Sequence, residues 1–139
     1  MDKVDLCFTP ATELAAAIRG KKLSSVEITS TVLERIAALE PKLNAFSHLA
    51  AQEAMDAADG ADRALAKGDS LGPLHGVPVT IKDLEPVRGM PFERGTYLFR
   101  GDVAPADNAV VARLRDAGAI ILGKTTTPNS AGRASAKAR

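Results

Sequence analysis

The sequence predicts an α/β protein, in which a helical N-terminal region is followed by the start of a mixed or parallel sheet that is incomplete. Two observations predict this class. Apolar residues recur at the spacing of a helix face through residues 1–70. Two short apolar runs, at residues 77–81 and 119–122, then flank a long connection with a helix, which is the pattern of a parallel βαβ unit. Residues 71–128 are therefore assigned to the beginning of an α/β core, and residues 129–139 to a tail.

Capping signals define the first two helices. The Thr9 hydroxyl is placed to cap the first helix, and Gly20 is placed to end it. Ser24 and Glu27 have the spacing of a capping box at the start of the second helix. Because a proline disfavours helical geometry at the residue before it, this helix is expected to end before Pro41.

The rest of the helical region contains a weak strand signal and an alanine-rich helix. Residues 44–49 alternate weakly and are expected to form a short strand. Residues 50–67 carry acids early and bases late, as suits the helix dipole. Gly60 costs about 1 kcal/mol relative to alanine, which leaves a break in this helix open as an alternative. Three acids of this helix are expected to form a solvated face: Asp56, Asp59 and Asp62.

The second half of the chain has two strand signals. Residues 77–81 suit a buried strand, and residues 84–105, rich in Gly, Pro and Arg, are expected to form a long irregular connection. Asn108 is placed to cap a helix that Gly118 ends, and residues 119–122 suit a second buried strand. The inward residues of that helix are predicted to be Val110, Val111 and Leu114.

Composition excludes several classes of protein. Hydrophobic residues make up 45% and charged residues 25% of the 139 residues, as in a globular domain rather than a disordered chain. Aromatic residues make up only 4%, too few for platforms on which bases stack, so no nucleic-acid partner is expected. No apolar run reaches the ~20 residues of a membrane span, and no secretory signal is evident, so no membrane association is expected. The single cysteine, Cys7, fits a reducing compartment, and we expect a cytoplasmic protein.

Neither a metal nor a cofactor is expected. His48 and His75 are the two histidines of the sequence, and they have no second cysteine or ligand spacing around them. Residues 118–125 match the phosphate-loop pattern G-x-x-x-x-G-K-T in letters. A phosphate loop, however, is a flexible turn between a preceding strand and a following helix, whereas here a helix precedes an apolar, strand-like run. We therefore interpret the match as a false positive.

Lys82 is the residue whose position most needs a chemical explanation, because it directly follows the apolar run at residues 77–81. An ordinary lysine, with a pKa of about 10.4, is almost entirely protonated at pH 7. Burial disfavours the charged form, and a pKa ~3 lower leaves much of a lysine as the neutral amine that a general base requires. The alternative is a solvated, inert lysine at a strand end, paired with Asp83.

Two blocks of sequence resemble the amidase signature family. One is residues 72–83, which read Gly-Pro-Leu-His-Gly-Val-Pro-Val-Thr-Ile-Lys-Asp. The other is residues 108–125, which read Asn-Ala-Val-Val-Ala-Arg-Leu-Arg-Asp-Ala-Gly-Ala-Ile-Ile-Leu-Gly-Lys-Thr. The helical segment from Leu14 to Leu39 is similar too. The family comprises Ser–Ser–Lys amide hydrolases and includes the amidotransferase subunit that acts on misacylated tRNA.

The resemblance implies a catalytic role for Lys82. In the family, the matching lysine is the base that acts through a serine in a cis peptide, and that serine activates the nucleophilic serine. Backbone amides near the nucleophile form the oxyanion hole. The block that supplies both serines comes after the position at which this sequence stops, so Lys82 is the one catalytic residue that the resemblance assigns here.

The implied function is hydrolysis of the carbon–nitrogen bond of a small-molecule amide, by a truncated N-terminal portion that we expect to be inactive alone. The alternative is a non-catalytic α/β interaction module or remnant in which Lys82 is structural. Three points stay open: the amide substrate, the choice between a simple amidase and an amidotransferase subunit, and the oligomeric state. A homo-oligomer is one of the open alternatives.

One hypothesis is that the tail is a frameshift product. Residues 129–139 contain three bases, no acid and no large apolar residue, which is typical of a disordered segment. After a Thr-Pro such as Thr127-Pro128, the family commonly continues Glu-Phe-Gly-Trp-Lys-Gly. Removing one G from a supposed coding sequence for Pro-Glu-Phe-Gly-Trp-Lys-Gly-Val-Ser gives Pro-Asn-Ser-Ala-Gly-Arg-Ala-Ser-Ala, the sequence of residues 128–136. With most of the sheet absent, we also expect exposed strand edges, marginal stability and self-association.

Overall fold

The computed structural model describes residues 2–127 and has the predicted α/β architecture. Five α-helices and three strands follow one another in these residues, with a 3₁₀ turn at Tyr97–Phe99 in the connection before the last helix. The elements are α1 Lys3–Phe8, α2 Ala11–Arg19, α3 Ser25–Leu43, β1 Phe46–Leu49, α4 Ala51–Lys67, β2 Pro78–Lys82, α5 Ala109–Asp116 and β3 Ile120–Thr125. The predicted tail at residues 129–139 lies outside the described residues.

The first helical region differs from the prediction at its start. A short helix, α1, precedes the predicted helix, and α2 begins after Pro10, which occupies the N-cap position and gives no side-chain cap. The Thr9 hydroxyl instead donates a hydrogen bond to the carbonyl of Asp5, at 3.0 Å, at the C-terminal end of α1. The predicted capping role of Thr9 is therefore wrong.

The start of α3 is capped from two directions. The Ser24 hydroxyl accepts from the backbone N–H of Glu27 at 2.9 Å, as the capping box predicts. The carboxylate of Asp62, on α4, accepts from the backbone N–H groups of Ser25 and Val26, at 2.7 and 3.1 Å. A carboxylate suits this position because the helix N-terminus carries free donors and partial positive charge. The predicted place of Asp62 on a solvated face is therefore wrong, since its side chain joins α4 to α3.

Neither the helix end predicted before Pro41 nor a break at Gly60 occurs. Helix α3 continues through Pro41 to Leu43, because a proline in the last turn removes a single hydrogen bond there; Asn44, in the left-handed conformation at φ 48°, ends it. Helix α4 passes through Gly60 without interruption, since its packing outweighs the propensity cost, and ends at Gly68, at φ 80°.

The three strands form one mixed sheet in the order β1-β3-β2. β2 pairs with β3 in parallel, as the βαβ pattern predicts, and β1 confirms the weak strand signal of residues 44–49 by pairing with β3 in antiparallel fashion. Residues 1–70 and 71–128 thus both contribute strands to the same sheet.

The core consists of three apolar clusters. Ala54 and Ala58 of α4 pack on Ile120 and Leu122 of β3, and small side chains on this helix face allow close approach to the sheet. A second cluster joins α1, α2 and α3 to Val77, just before β2. The third lies on the other face of the sheet, beneath α5: Ile81, Val87, Val111 and Ile121.

Helix α5 begins as predicted, with the Asn108 side chain accepting from the N–H of Val111 at 2.9 Å. Val111 is fully buried and Leu114 half-buried, but Val110 is 55% exposed. The predicted inward position of Val110 is therefore wrong, because a helix with a 100° advance per residue cannot turn two consecutive side chains equally into the core.

Candidate functional site

Lys82 is the last residue of β2, and its side chain is exposed. Alternation along the strand accounts for this, because Val79 and Ile81 face the α5 cluster while Thr80 and Lys82 face the opposite side. Helix α4 covers that opposite side at β3 but not at β2, where Thr80 is exposed as well. Among residues 2–127, no side chain or carbonyl forms a hydrogen bond or ion pair with the Lys82 ammonium.

Asp83 does not pair with Lys82. Its carboxylate is almost fully buried and forms an ion pair with Lys124, with 2.9 Å between Asp83 Oδ1 and Lys124 Nζ. The alternative interpretation of Lys82, as a solvated lysine paired with Asp83, is thus right about solvent and wrong about the partner. Asp83 follows Lys82 by one residue, so its side chain is directed to the α5 side of the sheet, away from the Lys82 side chain.

Lys124 occupies the environment that was expected for a lysine at an apolar strand end. Its side chain has 0% exposure, and its ammonium donates to Asp83 Oδ1 and, at 3.0 Å, to the carbonyl of Pro91. The nitrogen also lies 5.3 Å from the ring centroid of Phe92, within the range of a cation–π contact. Lys124 is not among the site residues that the sequence predicts; the signal that could have found it is the same one used for Lys82, a lysine after an apolar strand.

A bulge in β3 places Lys124 on this side of the sheet. Val79 pairs with Ile121, whereas Ile81 pairs with Lys124, so β3 uses one residue more than β2 over the same interval. An added residue moves every later side chain to the other face. The glycine at 123, with φ at 149°, allows the bulge, since a Cβ there would collide with the backbone of β1.

The backbone that follows Lys82 is held at several points. The N–H of Asp83 donates to the carbonyl of Thr125 at 3.0 Å, which extends the β2–β3 pairing by one bond. The N–H of Glu85 then donates to the carbonyl of Lys82 at 2.9 Å, closing a turn. The carboxylate of Glu85 accepts a hydrogen bond from the side chain of Asn108, at the start of α5.

A cavity of about 360 Å³ opens beside this turn. It lies at the carboxyl ends of β2 and β3, where ligand sites of parallel sheets commonly lie. Asp83, Ser47, Glu93 and Thr126 are among its lining residues, but Lys82 is not. The Lys82 side chain therefore does not line this cavity.

The remaining motifs have structural roles in the described part of the chain. Residues 120–125 of the phosphate-loop match form strand β3 rather than the flexible turn that a phosphate loop requires. His75 Nε2 lies 2.9 Å from the carbonyl of Ala61 and donates to it, linking the segment before β2 to α4.

Within residues 2–127, no group of three or more metal-binding side chains is close enough to hold an ion. No helix in that range is long and apolar enough to span a membrane.

Comparison with known proteins places this arrangement in a family. The amidase family profile matches residues 27–138, most of the chain, including Lys82 and the whole sheet. The chain belongs to the amidase family. The resemblance to amidase signature enzymes seen in the sequence is thus confirmed. The family match also covers most of residues 129–139, and their assignment to a tail foreign to the family stays a prediction.

Relatives of known activity match most of this chain and a small part of their own length. A glutamyl-tRNA(Gln) amidotransferase subunit of Acidothermus cellulolyticus is 46% identical over 121 residues, which are 87% of this chain and 24% of that protein. An acylamidase of Rhodococcus erythropolis is 39% identical over 130 residues, 94% of this chain and 27% of that protein. The chain thus spans about a quarter of the length of these amidase-family relatives.

Solved structures of the family share the fold. The native peptide amidase of Stenotrophomonas maltophilia is 38% identical and superimposes with a TM-score of 0.77, over 84% of this chain and 24% of that one. A bacterial aryl acylamidase of the amidase signature family gives a TM-score of 0.80 at 25% identity, over 86% of this chain and 25% of its own. The mixed three-stranded sheet is therefore one part of a larger family architecture.

Proposed function

We propose that this chain supplies the lysine end of an amide-hydrolysing site, with Lys82 as the base. The observation that carries the proposal is the family match across Lys82, together with the position of that lysine at the carboxyl end of a parallel strand on a side of the sheet that residues 2–127 leave open. An open position leaves room for the serines of an amidase site to approach the amine.

The chemistry is acyl transfer through a serine. The neutral amine of Lys82 accepts, through a bridging serine, the proton of a nucleophilic serine hydroxyl, whose oxygen attacks the amide carbonyl. The carbon–nitrogen bond then breaks, the amine leaves with the returned proton, and water releases the acyl group from the serine. Both serines come from outside residues 2–127, and so does the polypeptide that removes Lys82 from water.

The substrate class is a small-molecule amide. Among the relatives are an acylamidase, an indoleacetamide hydrolase and an amidotransferase subunit, whose names give different substrates. A cytoplasmic location and a homo-oligomer stay predictions from the sequence.

A chimera tests the role of Lys82. The matched segment of the Rhodococcus erythropolis acylamidase, about a quarter of that protein, is replaced by the matched residues of this chain. Hydrolysis of an amide that the parent acylamidase cleaves is then measured with Lys82 and with Lys82→Met. We expect Lys82→Met to lower kcat at least about 10²-fold, the usual contribution of a general base.

Two further variants serve as controls in the chimera. Lys82→Arg keeps the positive charge, but a guanidinium does not lose its proton at neutral pH, so this variant should be as inactive as Lys82→Met. Lys67→Met removes an exposed lysine at the end of α4 and should leave kcat unchanged. A folded, active chimera in which Lys82→Met hydrolyses the amide at the original rate contradicts the proposal and favours a non-catalytic module.

A further inference from the structure

We propose that Lys124 and Asp83 act together as a positioning device for Lys82, holding the backbone of the strand end from the opposite side of the sheet. The inference rests on the proposed function, because it assigns the pair a part in the same site. It concerns residues that contact neither a substrate nor the reacting atoms, so both are positioning residues.

The geometry ties the pair to Lys82 through the backbone. Asp83 is bonded directly to Lys82 and is fixed twice, by its N–H on the carbonyl of Thr125 and by its carboxylate on the Lys124 ammonium. Lys124 is itself paired with Ile81, the residue before Lys82. The residues on both sides of Lys82 are therefore held by β3, while its own side chain stays free on the other side.

The same ammonium also holds the connection that leaves the site. Its second hydrogen bond goes to the carbonyl of Pro91, and the ring of Phe92 lies over it. One buried charge thus joins the end of β2, the end of β3 and a segment eight residues after Asp83. Movement of any one of these requires that Lys124 lose a partner inside the protein, which is unfavourable for a desolvated ammonium.

Stability alone does not account for an ion pair at this place. Burying two charges costs desolvation free energy, and apolar residues of similar size often replace a buried pair without loss of stability. Hydrophobic contacts, however, have no direction, whereas the Lys124 ammonium draws the Asp83 carboxylate and the Pro91 carbonyl to hydrogen-bonding distance of one nitrogen. The pair therefore fits a site at which the direction of the neighbouring residue matters.

Hydrogen exchange on the 139-residue chain tests this without any need for catalysis. The Glu85 amide donates to the Lys82 carbonyl and therefore reports on the turn at the site. The Ile120 amide donates to the Val77 carbonyl and therefore reports on the other end of the strands. In the double variant Asp83→Leu/Lys124→Met, an apolar pair replaces the charges. We expect protection of the Glu85 amide to fall at least about tenfold relative to that of Ile120.

Equal changes in protection at Glu85 and Ile120 would show that the pair contributes to global stability alone, and would overturn the proposal. Should the double variant not fold, Asp83→Asn takes its place, since the amide oxygen of the asparagine can still accept a hydrogen bond from Lys124. A selective loss of protection of about threefold or more at the Glu85 amide supports positioning. Equal changes in protection at Glu85 and Ile120 overturn it. In the chimera, Asp83→Asn should lower kcat and leave KM unchanged. A failure of Lys82→Met to affect the chimera would count against the proposed function and leave the exchange result intact.

Discussion

The two strand ends of this protein carry the same local sequence feature and opposite environments. β2 ends in Lys82 and β3 places Lys124 near its end, each after a run of apolar residues. Lys82 is exposed and has no partner for its ammonium within residues 2–127, whereas Lys124 is fully buried with an ion pair and a carbonyl. The position of a lysine after an apolar strand therefore does not determine its burial.

The difference comes from residues distant in sequence. Asp83 lies 41 positions from Lys124 and Pro91 lies 33 positions away. The pairing of β2 with β3 brings Asp83 to the ammonium, and the long connection after β2 brings Pro91. On the other side of β2, no segment of residues 2–127 covers the Lys82 side chain. In our proposals, Lys82 is therefore the base of the reaction, and Lys124 is a residue that positions Lys82.

Replacing each lysine by methionine gives the largest contrast. Lys124→Met leaves the Asp83 carboxylate buried without its cation, and removing one partner of a buried pair costs about 3–5 kcal/mol. Lys82→Met removes an exposed charge and should change the free energy of unfolding by less than about 0.5 kcal/mol. Urea denaturation of the 139-residue chain measures both, and similar losses for the two variants would contradict the difference in burial.

Closing the bulge that admits Lys124 should have the next largest effect. Gly123→Ala places a Cβ against the backbone of β1 at φ 149°, and we expect a loss of about 2–3 kcal/mol. Gly60→Ala is the matched control, because a Cβ there meets no atom within 4 Å and alanine favours a helix; it should stabilise by about 0.5–1 kcal/mol. Thermal melts compare the two. If Gly123→Ala melts at the temperature of the unsubstituted chain, glycine is not required for the bulge.

Chemical labelling separates the two lysines without mutation. An amine-acetylating reagent at low concentration should modify Lys82 at the rate of Lys67, another exposed lysine, and Lys124 at least about tenfold more slowly, since the buried amine reacts only after local opening. Peptide mass spectrometry gives the three rates. Equal rates at Lys82 and Lys124 would mean that the buried pair opens freely in solution.

The elements of the fold could be predicted to a large extent because they depend on local signals. The cap of α5 by Asn108, both strands of the βαβ unit and the weak strand β1 follow from patterns within a few residues. The errors arise where packing or position outweighs propensity. Helix α3 tolerates Pro41 because this residue lies in its last turn. Helix α4 tolerates Gly60 because packing of the helix outweighs the propensity cost of one glycine.

The candidate site could be predicted in part. Lys82 follows from the block of residues 72–83 that resembles the family, and its role stays a proposal. Lys124 and Asp83 could not be paired from the sequence, because their contact depends on a bulge at Gly123 and on the path of the connection through Pro91. The prediction for Asp62 is wrong for the same reason: its backbone partners lie on another helix.

The middle strand of the sheet is also the last of the described elements to be synthesised. Within residues 2–127, β1 and β2 each form strand pairs with β3 alone, so neither has a partner until residue 125 has left the ribosome. Helices α1 to α4 can form earlier, since their hydrogen bonds are local, but the sheet depends on contacts between distant parts of the chain. On a translating ribosome, the nascent chain should therefore remain vulnerable to proteases until β3 emerges.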